Sequence, residues 1–190
     1  MHVSTTWFNG TTFNFDPSIP KEYYSWVGRF EAQKDPILAV RTMIDICRSD
    51  PSAKAVMAGE GSMEPAVRSH VEECDLADQI SFPGRISRVE VAELMRRSRA
   101  TLLTSHYEGS PRVMFESLAC GTPVVTTEGA DPSRVISQGI NGIVCARSHT
   151  ELSAGLELAS SLPSDIVARS ADPYDVEEVL PTVLRIGTSQ

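Results

Sequence analysis

An α/β domain, one parallel sheet with helices on both faces, is the fold this sequence predicts. Three observations predict it. From Tyr23 onward, apolar runs alternate with amphipathic stretches. The runs are largely apolar without strict alternation, as strands covered on both sides are. Most end in a Gly- or Pro-containing turn that leads into the next helical pattern.

The elements follow in order. Residues 1–20, rich in Thr, Asn and Pro, read as a linker or an extended lead-in. Residues 21–162 form the body and 163–190 a tail. Tyr23–Val27 is predicted as a strand ending at Gly28, and Pro36–Cys47 as a helix with Ile37, Val40 and Ile44 at helical spacing. Ala53–Ala58 is the next strand, closed by Gly59-Glu60-Gly61, and a helix over Glu64–Cys74 follows. Gln79–Phe82 is a short strand ending in Pro83-Gly84. The capping box Ser87-x-x-Glu90 opens a helix over Glu90–Arg97. Ala100–Thr104 is a strand, and Pro111–Cys120 a helix closed by Gly121. Pro123–Thr126 is a strand, Pro132–Gln138 a short helix ending at Gly139, and Gly142–Cys145 the last strand. Ser148-x-x-Glu151 caps a helix through Leu158. In the tail, Asp172-Pro173 begins one more short helix, broken by Pro181.

Composition narrows the function. The 190 residues are 41% hydrophobic and 22% charged, which excludes a disordered chain. Lys and Arg number 17 against 25 Asp and Glu, a net charge of −8. An acidic body argues against nucleic acid or an anionic membrane as a partner, yet allows a local basic pocket. There is no apolar run of about 18 residues for a membrane span, and the N-terminus has no signal-peptide pattern. Cys47, Cys74, Cys120 and Cys145 are scattered, which points away from zinc or a redox dithiol and towards four buried thiols in a reducing cytoplasm. The four histidines, His2, His70, His106 and His149, have no metal-ligand spacing.

In an open parallel sheet the ligand lies beyond the carboxyl ends of the strands, so the strand-to-helix turns are where chemistry is sought. In the first, Asp35 is a helix N-cap and Pro36 the first helical residue, so Lys34 sits just outside a helix N-terminus with Arg29 in the same loop. A cation there is unfavourable by about 0.3–1 kcal/mol unless an anion joins it. The plainer reading is a pair of solvated charges, with Lys34 offsetting Asp35. The turn Ser105–Glu116 is richer. Ser110 is a good N-cap, Pro111 a good first helical residue, and Gly109 lets a ligand approach the backbone. Glu108 and Glu116 beside a cationic turn suit the hydroxyls of a polyol. Their plainer readings are a loop carboxylate near a helix end and an i,i+4 pair with Arg112. Gly59-Glu60-Gly61 reads first as a tight turn. Pro83-Gly84-Arg85-Ile86 presents backbone groups suited to a flat base. No dinucleotide fingerprint or Walker sequence is present.

These turns together resemble the C-terminal, donor-binding half of retaining glycosyltransferases of family 4, which have the glycosyltransferase-B fold with Rossmann-like domains. The matching segments are Val27-Gly28-Arg29-Phe30 with Lys34; Val56 to Gly61; Ile80 to Gly84; Thr104 to Gly109; and Pro111, Glu116 and Ala119 to Val125. Glu108 and Glu116 form the family's Glu-x7-Glu pattern, while Asn9-Gly10 and Phe15-x-Pro17 look like the end of its interdomain linker.

The resemblance implies a glycosyl transfer in which Arg29 and Lys34, beside Gly28, hold the diphosphate of a UDP- or GDP-type sugar donor. Glu108 with the backbone of Gly109, Ser110 and Pro111 would hold the donor sugar and phosphate, and Glu116 the ribose. Arg85 and Ile86 would lie by the base. Arg29, Lys34 and Glu108 are the residues expected to carry the chemistry, without an obligatory metal or cofactor. The acceptor, a glycan or lipid, would be bound by a preceding domain that this chain lacks. Any membrane contact would come through that domain, at the cytoplasmic face, and the isolated chain would be inactive. Two departures stand out: Asp35 follows Lys34 where the family usually has Gly, and Ser110 stands where Phe is common. Two other functions fit the same residues, a non-catalytic nucleotide-sugar-binding module of a split enzyme and a sugar-nucleotide epimerase-like enzyme.

Overall fold

The computed structural model describes residues 8–109 and 111–176. Ser110, His2 and Pro181 lie outside them. Six strands, β1 (Tyr23–Val27), β2 (Lys54–Ala58), β3 (Ile80–Gly84), β4 (Ser98–Leu102), β5 (Val124–Thr127) and β6 (Gly142–Cys145), form one sheet in the order β3-β2-β1-β4-β5-β6. Every pairing is parallel. The α/β class predicted from the alternation is the fold observed.

The helices are α1 (Pro36–Ser49), α2 (Glu64–Glu72), α3 (Arg88–Arg96), α4 (Arg112–Ala119), α5 (His149–Ala159) and α6 (Ser164–Arg169). α1, α2 and α5 bury Met43, Val67 and Leu152 with Trp26, Met57 and Leu102 on one face of the sheet. α3, α4 and α6 bury Met95, Leu118 and Val167 with Leu103 and Val124 on the other. Chain order runs outward from β1 to β3 on one side and from β4 to β6 on the other, so neighbours β1 and β4 mark the switch point of the sheet.

The predicted lead-in packs onto the body: Phe8 and Phe13 are buried on the α4 side. Lys21 donates to Thr122 Oγ1 at 2.7 Å and to the Gly121 carbonyl at 3.3 Å, placing a cation at the carboxyl end of α4. Gly121 closes that helix in the left-handed region, at φ 67°.

Several expectations are corrected. Pro132–Gln138 is not helical. The buried Asp131 carboxylate takes the amides of Val135 and Ile136 at 2.8 and 3.0 Å, and Arg134 turns to φ 51°, so side-chain acceptors replace the helical carbonyls. The Ser87–Glu90 capping box forms on both sides, but Ser148 does not cap α5; its hydroxyl lies 2.7 Å from Thr150 Oγ1 instead. Pro111 occupies the N-cap position, and α4 starts one residue later, at Arg112. The tail carries α6, unforeseen, and Asp172–Tyr174 is a single 3₁₀ turn. Of the thiols, Cys47 and Cys120 are buried while Cys74 and Cys145 are half-buried. Burial pushes Cys47 up to about 11 and Cys120 up to about 12, which keeps both unreactive at neutral pH.

Gly59, at φ 140°, ends β2 against the Gly28 carbonyl, where a Cβ would collide with backbone. Gly59→Ala is expected to cost about 2–3 kcal/mol in chemical denaturation. Gly109→Ala, in open space, should leave stability unchanged.

Candidate functional site

The β1–α1 turn is built on a buried ring. Phe30 lies edge-on to Trp26 with centroids 5.0 Å apart, and its amide donates to the Glu60 carbonyl at 2.9 Å. Anchored there, the chain leaves Arg29 exposed on one side and makes a 3₁₀ turn, Ala32–Lys34, on the other. Asp35 follows at φ 45°, ψ 64°, and its carboxylate accepts from the Leu38 amide at 3.1 Å, the N-cap foreseen for α1.

The β4–α4 turn is stitched to it. Trp26 Nε1 donates to Thr104 Oγ1 at 3.1 Å, and that hydroxyl donates to the Lys34 carbonyl at 2.8 Å. The His106 amide donates to the Gln33 carbonyl at 2.9 Å, and Gln33 Nε2 to the Tyr107 carbonyl at 2.8 Å. Across this seam Lys34 Nζ stands 2.5 Å from Glu108 Oε1, which also accepts from Ser105 Oγ. Lys34 therefore pairs with Glu108 and not with Asp35. The Glu108 side chain is only 9% exposed, so the pair is largely desolvated and directional.

Two hollows open at this edge of the sheet. One, of about 590 Å³, is lined by Gly28, Arg29, Lys34, Gly59, Glu60, Arg85 and Ile86. The other, of about 200 Å³, is lined by Trp26, Lys34, Thr104, Ser105, Glu108, Pro111 and Arg112. Val27, Lys34 and Val113 line both, so the two are one cleft with Lys34 at its waist. Its size suits a small-molecule ligand. Gly59 and Glu60, read first as a plain turn, are part of the wall. Gly109 is exposed beside Glu108. Among the described residues no group of three His, Cys, Asp or Glu side chains is placed to hold a metal ion, and no helix is long and apolar enough to cross a membrane.

Glu116 lines neither hollow. It is buried on α4, its Oε1 3.0 Å from Arg88 and 3.9 Å from Arg112. The i,i+4 partner foreseen, Arg112, is the more distant of the two. The Arg88 contact has the distance of an ion pair without the alignment of a hydrogen bond, which leaves Oε1 buried with no donor. Burial pushes this carboxyl above the usual range, outweighing the attraction of Arg88 and Arg112.

Sequence reading gave no role to Gln33, Thr104, Ser105, Arg88 or Arg147, although Ser105 and Thr104 lie in segments it singled out. The Arg147 guanidinium lies 2.5 Å from Asp35 Oδ2 and donates to the carbonyls of Thr104 and Ser105 at 2.9 and 3.2 Å. Thr104 and Ser105 had a signal, their place at the carboxyl end of a predicted strand. Arg147 had none.

The family model described as Glycosyl transferases group 1 matches residues 14–170. The chain belongs to the group 1 glycosyl transferases. Glycogen synthase of Mycobacterium tuberculosis is 29% identical to it over 121 residues, 64% of this chain and 29% of that protein. The chain thus spans less than a third of the length of that curated relative. Among solved structures, the pneumococcal O-GlcNAc transferase GtfA, in complex with UDP and GlcNAc, superposes with a TM-score of 0.84 at 14% identity, covering 98% of this chain and 39% of that one. The C-terminal domain of a group 1 glycosyl transferase from Francisella tularensis superposes at 0.74 with 20% identity, over 96% of this chain and all of that one. The fold is that of the C-terminal domain of a GT-B glycosyl transferase.

A carboxyl raised by burial costs stability in full above its folded-state pKa, and the cost fades to nothing only below the pKa of the unfolded chain. Glu116→Gln is therefore expected to melt no lower than wild type at pH 7.5. Any advantage should shrink as pH falls towards about 4, where the unfolded carboxyl also protonates. Differential scanning calorimetry across that range checks it.

Proposed function

We propose that this chain is the donor-binding half of a group 1 glycosyl transferase and holds a nucleotide-diphosphate sugar of UDP or GDP type. The observation that carries the reading is the meeting of Arg29, Lys34 and Glu108 in one cleft at the switch point of the sheet. Lys34 and Arg29 supply the cations for a diphosphate, and the start of α4 adds backbone N–H groups. Glu108 takes hydroxyls of the sugar, with Gly109 and Pro111 beside it and Ser110, outside the described residues, in the same turn. Arg85 and Ile86 line the far end of the larger hollow and meet the base. Glu116 takes the ribose hydroxyls, for which Arg88 and Arg112 must give way. That GtfA is solved with UDP and GlcNAc supports this ligand class.

The bond broken is that between the anomeric carbon and the diphosphate. Negative charge grows on the departing diphosphate, and Lys34, Arg29 and the helix ends stabilise it without a metal or cofactor. Glu108 orients the Lys34 ammonium and steadies the sugar. Retaining transfer to a glycan or lipid acceptor is completed by a second domain that precedes this one in the whole enzyme.

Isothermal calorimetry tests the reading. UDP or GDP should bind at least about tenfold more tightly than uridine or guanosine, an increment set by charge-assisted hydrogen bonds. Lys34→Ala and Arg29→Ala should each remove about tenfold of that. Arg29→Ala, at an exposed position, should melt close to wild type, whereas Lys34→Ala, which leaves the buried Glu108 carboxylate without its cation, should melt lower yet still fold. Equal affinity for nucleoside and diphosphate would contradict it.

A further inference from the structure

We infer that Arg147 is a positioning residue of the diphosphate site, neutralising Asp35 and tying the Lys34 turn to the Glu108 turn. The inference rests on the donor-binding reading and extends it to a residue outside the cleft. Asp35 occupies the left-handed backbone position directly after Lys34, at φ 45°. A glycine would take that conformation freely and would bring no charge. The aspartate brings a carboxylate next to two cations that must attract an anion, and an unpaired carboxylate there repels a diphosphate.

The structure shows how that charge is handled. Oδ1 of Asp35 caps α1 through the Leu38 amide. Oδ2 meets Arg147 Nη2 at 2.5 Å and stands 3.6 Å from His106 Nε2. Arg147, carried by the loop between β6 and α5, also donates to the carbonyls of Thr104 and Ser105. Those two residues hold the machinery directly: Thr104 Oγ1 donates to the Lys34 carbonyl and Ser105 Oγ to Glu108. One planar guanidinium therefore spans both turns, a reach and geometry that a lysine does not offer.

The test is a double-mutant cycle read by calorimetry with UDP and GDP on the 190-residue chain. Arg147→Ala should weaken diphosphate binding by about tenfold, because it frees the Asp35 charge and loosens both turns. Adding Asp35→Gly should recover most of that loss, bringing the double variant within about twofold of Asp35→Gly alone. Wild-type affinity in Arg147→Ala, or a double variant as weak as Arg147→Ala, would overturn the inference. Amide exchange of the ligand-free protein gives a second, independent reading. Arg147→Ala should speed exchange at His106, which donates across the seam, and at Leu38, capped by Asp35. Unchanged protection at both sites overturns the inference even where wild type takes no diphosphate, a result that would count separately against the donor-binding reading.

Discussion

The switch point between β1 and β4 is the constraint on which the site depends. Because the chain winds outward from this pair in both directions, the turns after β1 and β4 diverge and leave a cleft that no crossover covers. The Lys34–Glu108 pair bridges that cleft at 2.5 Å. An ion pair this far removed from water contributes little net stability, since desolvation offsets most of its Coulomb attraction. Its value lies in direction: it aims an ammonium and a carboxylate at the same small volume.

Rigidity behind the pair comes from a relay of hydrogen bonds rooted in the core. The Trp26 indole, packed against Phe30, donates to Thr104, which donates to the carbonyl of Lys34 itself. The relay begins among fully buried side chains and ends at the cleft, so the position of the cation is inherited from core packing. Glu116 shows the opposite bargain. It is a carboxylate held in the protein interior with an unsatisfied oxygen, a poor arrangement for stability.

Much of this was legible in the sequence. β1 was predicted residue for residue, and the glycines and prolines after the strands marked the turns that line the cleft. The Ser87 capping box was readable because it is a local pattern satisfied by local atoms. The identical pattern at Ser148 failed because the hydroxyl found Thr150 nearer. Pro132–Gln138 failed because Asp131 outcompeted the helical carbonyls for two amides, a choice that composition does not record. Arg88 and Arg147 were invisible for a different reason. Each reaches a carboxylate on another element, and pairing across sequence distance leaves no periodic trace.

On the donor-binding proposal, a diphosphate lodges between the β1–α1 and β4–α4 turns. Titrating UDP or GDP into the isotopically labelled chain and following its amide NMR signals tests this most directly. The largest shifts are expected on Gly28, Arg29, Lys34, Glu108 and Val113, with His70 and His149, which line a separate hollow beside α1, unmoved. Shifts concentrated around α1, α2 and α5, or no saturable shift at all, would contradict it.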